Sequence, residues 1–137
     1  MKMAAPPQFR NLDIILKSNS NLDALVEHLD ERVLVLSHQE YERQFILVLE
    51  LAEQTVEQIH DAQSCTQQFQ AIIDALPDTA MNLWKACTSR IFSYGFDSGA
   101  DHPALDTTIS ADLLRQIARI DADIEITVYP FHQYAAE

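Results

Sequence analysis

The chain is expected to fold as one α+β domain. Two strand–helix–strand units would flank a central hairpin strand and two helices, in one mixed or antiparallel sheet with its helices on one face. Three observations predict this. Leu12, Ile14 and Leu16, and again Ile124, Ile126 and Val128, alternate with other residues at the period of a strand. Leu22, Leu25, Val26 and Leu29 fall on one stripe of a short helix, as do Leu113, Leu114, Ile117 and Ile120. The length is 137 residues and 47% of them are hydrophobic, enough for one buried core without disulfides or metals.

Residues 1–10 carry Pro6-Pro7 and little pattern, and are expected to form a flexible arm before a domain spanning 11–130. The first strand begins at Leu12. Ser18-Asn19-Ser20-Asn21 supplies turn and cap groups for the first helix, and Asp23 favours the dipole of its first turn. Arg32 to Ser37 reads as a strand, and His38-Gln39-Glu40-Tyr41-Glu42 as a polar hairpin connection. Phe45 to Leu51 is apolar on both faces, so it is placed inside the sheet. Glu53 to Ala75 is rich in Gln, with apolar Val56, Ile59, Phe69, Ile72, Ile73 and Leu76. A helix is expected over 64–76, held at its start by Asp61 to Ser64.

Pro77 should open the next helix at its first position, leaving Leu76 extended. Ala80, Leu83, Trp84 and Cys87 would form its inner face. Arg90 to Phe96 is an aromatic strand, and Asp97 to Thr108 a polar loop. Ser110 caps the last helix, and the last strand ends at Pro130. Phe131 to Glu137 reads as a loosely held tail.

The halves share a pattern at an offset of 91: Leu22 with Leu113, Val26 with Ile117, Leu29 with Ile120, Asp30 with Asp121, Val33 with Ile124 and Val35 with Ile126. Asn19 and Ser110 take equivalent cap places. A true repeat would give a ferredoxin-like or doubled βαβ arrangement.

Charge narrows the function classes. The chain holds 21 acids and 9 bases, a net charge of -12. It therefore lacks the cationic surface that displaces counterions from nucleic acid or binds anionic lipid. The charge is patterned: +2 over 1–20, -8 over 21–61, zero over 62–96 and -6 over 97–137. No apolar leader follows Lys2 and no apolar run is long enough for a membrane span, so a cytoplasmic location is expected. Cys65 and Cys87 form no CxxC and read as buried thiols. Gly95 and Gly99, the two glycines, cannot build a phosphate loop.

No catalytic constellation emerges. His28, His38, His60, His102 and His132 form no HExxH or HxH. Ser98 between Gly95 and Gly99 misses the nucleophile-elbow spacing. The acids Asp97, Asp101 and Asp106 around His102 do not follow the calcium-loop order. No cofactor or metal is called for. The binding candidates are Glu40, Tyr41 and Glu42 in the hairpin and Asp97, Asp101 and Asp106 in the long loop, where a scaffold usually displays its contact groups. A tyrosine among acids suits an Arg-rich partner.

Two segments carry a family resemblance. One is Leu76-Pro77-Asp78-Thr79-Ala80-Met81-Asn82-Leu83-Trp84, continuing through Arg90 to Phe96. The other is Ile109-Ser110-Ala111-Asp112-Leu113-Leu114, continuing to Ile124-Glu125-Ile126-Thr127-Val128-Tyr129-Pro130. With the opening strand they resemble a family of small bacterial domains of unknown function. In these a hydroxyl-capped helix leads into a closing strand ending in Tyr-Pro. Such domains resemble immunity proteins of contact-dependent growth inhibition and related polymorphic toxin systems. The resemblance covers residues 12–130 and rests on caps, core stripes and a strand, so no catalytic residue carries over.

It implies a non-enzymatic protein that binds and neutralises a cognate toxin, for example a basic nuclease, by stoichiometric complex formation. The expected partner is that toxin, with no nucleic acid and no membrane. The protein itself is expected to be a monomer or a weak homodimer through an open sheet edge or the tail. The alternatives are a small carboxylate/His-dependent enzyme, with His38 or His102 in a polar cleft beside an acid of raised pKa, and an acidic regulatory or nucleic-acid-mimic protein.

Overall fold

A computed structural model of the chain describes residues 6–52, 61–100 and 104–131. In chain order these form β1 (Gln8–Ser18), α1 (Asp23–Leu29), a 3-10 turn (Asp30–Arg32), β2 (Val33–Tyr41) and β3 (Gln44–Leu51). There follow α2 (Ala62–Asp74), α3 (Asp78–Ala86), β4 (Ser89–Asp97), α4 (Ala111–Arg119) and β5 (Asp123–Tyr129). The strands make one mixed sheet in the order β2-β3-β1-β4-β5. β1 pairs antiparallel with β3 and β4, β2 antiparallel with β3, and β4 parallel with β5. The expected α+β fold is therefore present. Its first four strands have the split-βαβ, ferredoxin-like order, and a β4–α4–β5 crossover adds a fifth strand.

The core lies on one face of the sheet. Leu12, Ile14 and Leu16 of β1, Leu47 and Leu49 of β3, and Phe92 and Tyr94 of β4 are buried there. They join one cluster with Leu25 of α1, Phe69 and Ile73 of α2, Trp84 of α3 and Ile117 of α4. Phe69 meets Phe92 edge-on at 6.4 Å. Buried polar groups tie the layers together. The Thr66 hydroxyl donates to the Ala62 carbonyl and accepts from the Tyr94 hydroxyl, both at 2.6 Å. The Trp84 indole N–H donates to the Ile120 carbonyl at 3.0 Å. Arg90 donates to the carbonyls of Cys87, Trp84 and Asp121, at 2.6, 3.1 and 2.8 Å. One guanidinium thus ties the C-termini of α3 and α4 to the start of β4.

Several boundaries differ from expectation for local reasons. β1 starts at Gln8, because Gln8 and Phe9 pair with Asp97 and Phe96. The expected arm thus loses residues 8–10 to the sheet, and residues 1–5 lie outside the described residues. The connection expected over 38–42 is strand as far as Tyr41. Only Glu42 and Arg43 turn, at φ of 51° and 66°. That is the two-residue hairpin in which both central residues are left-handed. α2 begins two residues early because the Asp61 carboxylate accepts from the Ser64 amide at 2.7 Å. Pro77 is the residue before α3 rather than its first. Val56, Ile59 and residues 132–137 of the tail lie outside the described residues.

The two units of the proposed repeat both exist, but they pair differently. β3 stands between β1 and β2, whereas β4 and β5 are direct neighbours. Their helix ends agree: Asp30 and Asp121 both take positive φ, 50° and 57°, on leaving a helix for a strand. Ser110 accepts from the Leu113 amide as a cap at 3.2 Å. The N-cap residue of α1 is Leu22 rather than Asn19, and it is Asn21 that accepts from the Asp23 amide, at 2.7 Å.

Candidate protein-binding surface

β5 is an edge strand, and its three aliphatic residues are not covered. Ile124, Ile126 and Val128 pair with Phe92, Tyr94 and Phe96 and so point to the helix side of the sheet. They remain 40%, 64% and 59% exposed. α4 packs towards α2 through buried Leu113 and Ile117, and turns Leu114 outward at 42% exposure. The result is a groove of about 520 Å³ with β5 as its floor and Leu105, Ile109 and Leu114 as its wall. That is the size of a site that encloses a bound group. Its polar atoms are few; Asp97 and Ser98 stand at one end. A second depression of about 400 Å³, lined by Gln8, Asp61 and Asp106 among others, adjoins it at Leu105 and Thr107.

The sequence-derived candidates fall into two separate places. Asp97 ends β4 beside the groove, where it accepts from Gln8 Nε2 at 3.2 Å and pairs with Arg10 at 3.4 Å. Asp106 is exposed on the adjoining loop. Glu40, Tyr41 and Glu42 are at the far end of the sheet: β1 pairs with Asp97 through Gln8 but with Phe45 through Ser18. Ten strand steps, roughly 33 Å, separate these ends. Tyr41 is 63% exposed there. Asp101 and His102 lie outside the described residues. One compact patch therefore does not contain all the described candidates; among them Asp97 lines the groove and Asp106 the depression beside it.

The sequence reads Ile124, Ile126 and Val128 as one face of the last strand and Leu105 as part of a polar loop, and does not single out a groove between them. Alternation places Ile124, Ile126 and Val128 on one face correctly, but it does not say whether anything packs on that face. Sheet order settles it: among the described residues β5 pairs with β4 alone and is the outermost strand on that side.

The opposite face of the sheet holds the other unexpected group. Across the strands, Glu50, Asp13, Ser93 and Glu125 stand in one row. The Ser93 hydroxyl donates to Glu125 at 2.7 Å. Burial, then the neighbouring Glu50 charge and a hydrogen bond with it, push the Asp13 carboxyl up to about 6. One Asp13 oxygen is buried without a hydrogen-bond partner.

The thiols behave as expected of structural cysteines. Burial, with smaller contributions from Asp61 and Glu50, pushes Cys65 up to about 11, and burial also raises Cys87 despite Arg90 nearby. His38 sits 3.6 Å from Asp23 on the helix side, away from Asp13. The His-and-raised-acid cleft of the enzyme alternative is not assembled among the described residues, and no group of three metal-ligating side chains occurs among them. No described helix is long and apolar enough to cross a membrane. Comparison of the chain with family models, curated proteins and solved structures finds no match.

Proposed function

We propose that this protein is a stoichiometric inhibitor of the immunity type, which binds and neutralises a basic toxin in the cytoplasm. The observation that supports this reading best is the apolar groove along β5, open on a chain with 12 more acids than bases. A contiguous exposed apolar surface at the end of a sheet is the usual mark of a protein partner. Excess carboxylates select a basic one and steer its approach. The aliphatic floor, once covered, slows dissociation.

Co-expression tests the proposal. The product of the adjacent gene is expressed with and without this protein, and survival is counted. Survival is expected only with both chains present at comparable levels. Death regardless of this protein overturns the proposal.

A further inference from the structure

We propose that β5 is a docking edge that accepts an extended segment of the partner as a sixth strand, and that this segment alternates aliphatic with Lys or Arg residues. The inference rests on the inhibitor reading and adds where and how the partner binds.

Backbone direction carries the first part. The Tyr129 carbonyl accepts from the Ser98 amide at 3.0 Å, on the β4 side. The N–H and C=O of one strand residue point the same way, and successive residues alternate. Asp123, Glu125, Thr127 and Tyr129 therefore bond towards β4. The N–H and C=O of Ile124, Ile126 and Val128 point outward from the sheet edge. The same three residues turn their side chains into the groove. An added strand would satisfy the outward backbone groups and fill the groove in one step.

The two sheet edges differ in their fitness for this. β2, at the other edge, also exposes Leu34, Val35 and Leu36, but its ladder shifts register between Val35 and Ser37. A bulge of that kind bends an edge and discourages pairing. The β4–β5 ladder runs from Asp123 to Tyr129 without a shift.

Charge decides the occupant. β5 carries Asp123 and Glu125 on the face opposite the groove, and no base. A second copy of β5 would bring further carboxylates and another chain of net charge -12 to the same edge. An incoming strand with aliphatic residues on the groove side and Lys or Arg on the other face complements both faces.

The test uses the full-length protein, labelled with nitrogen-15, and a synthetic peptide of about eight residues alternating Lys and Val. Control peptides place the same residues in blocks, or replace Lys by Glu. Binding of the Lys–Val peptide should slow amide exchange at Ile124, Ile126 and Val128. Ile126→Pro removes one outward N–H and no bond to β4, so it should abolish binding while the fold persists. Glu125→Lys should weaken binding by about tenfold, and it decides the matter if the proline variant unfolds. Unchanged binding in a folded variant overturns the proposal. So does equal binding of the Glu–Val peptide, or self-association through β5. If the peptide protects β5 but no toxin is neutralised, the inhibitor reading fails and the edge stands. If Ile126→Pro still neutralises the toxin, the edge fails and the inhibitor reading stands.

Discussion

Asp13 shows how one side chain couples this fold to pH. Its pKa is about 6 in the folded chain against an ordinary 3.8, so the native state holds the proton more tightly than the unfolded state. Stability from that proton is fully present below about pH 4 and is lost as pH rises through 6. Asp13→Asn should therefore raise the unfolding free energy at pH 8 by about 1 kcal/mol, discounted for partial solvent screening. The gain should vanish near pH 4. Urea titrations of both proteins at the two pH values check this. The Glu42-Arg43 turn offers a second residue-scale prediction. Both residues hold left-handed backbone, which costs side chains with a Cβ roughly 1–2 kcal/mol each. Glu42→Asn with Arg43→Gly supplies the preferred turn pair and should stabilise the hairpin by about 1 kcal/mol, read as a higher urea midpoint at unchanged slope. A negative result would mean that these side chains make compensating contacts.

At the scale of elements, stability depends on a few ties between layers. Thr66→Val keeps the shape of the side chain but leaves the buried Tyr94 hydroxyl without its partner. The expected loss is about 1–3 kcal/mol, whereas Tyr94→Phe in the Thr66→Val background should cost little more. Arg90→Lys keeps the charge but loses the planar fork that reaches α3 and the end of α4 together, and should cost about 1–3 kcal/mol. Trp84 emission, which should move to longer wavelength when the indole leaves the core, reports each transition. Much of this level was legible in the sequence. Ser110 and Asp61 were readable as helix-start residues because their side chains have an amide to bond a few residues on. The stripe through Leu113 and Ile117, and the aromatic β4, were equally plain. The Glu42-Arg43 turn was not, because it lacks the Asn-Gly or Asp-Gly that announces such turns. Arg90 was not legible either: its carbonyl partners come from two segments, the end of α3 and Asp121 after α4, that only the fold brings together.

At the scale of the whole molecule, the arrangement of exposed apolar and acidic groups matters more than the total charge. The acids on the loops were visible from the sequence, but their grouping was not. Strand pairing sends Asp97 and the Glu40-Tyr41-Glu42 hairpin to opposite ends of the sheet. The groove could not be read from alternation, since Ile14 and Ile126 obey the same period and only one of them has helices over it. Sheet order decides this: β1 is central and β5 is at the edge. If acidic steering brings a basic partner to an aliphatic groove, salt should slow association far more than it speeds dissociation. Surface-plasmon measurement of the association and dissociation of the purified adjacent gene product on this protein, repeated at low and high salt, tests that claim most directly. A one-to-one complex of sub-micromolar affinity that weakens as salt rises and is lost in Ile126→Pro is expected. Absence of binding at low salt, or affinity indifferent to both salt and the β5 variant, would contradict it.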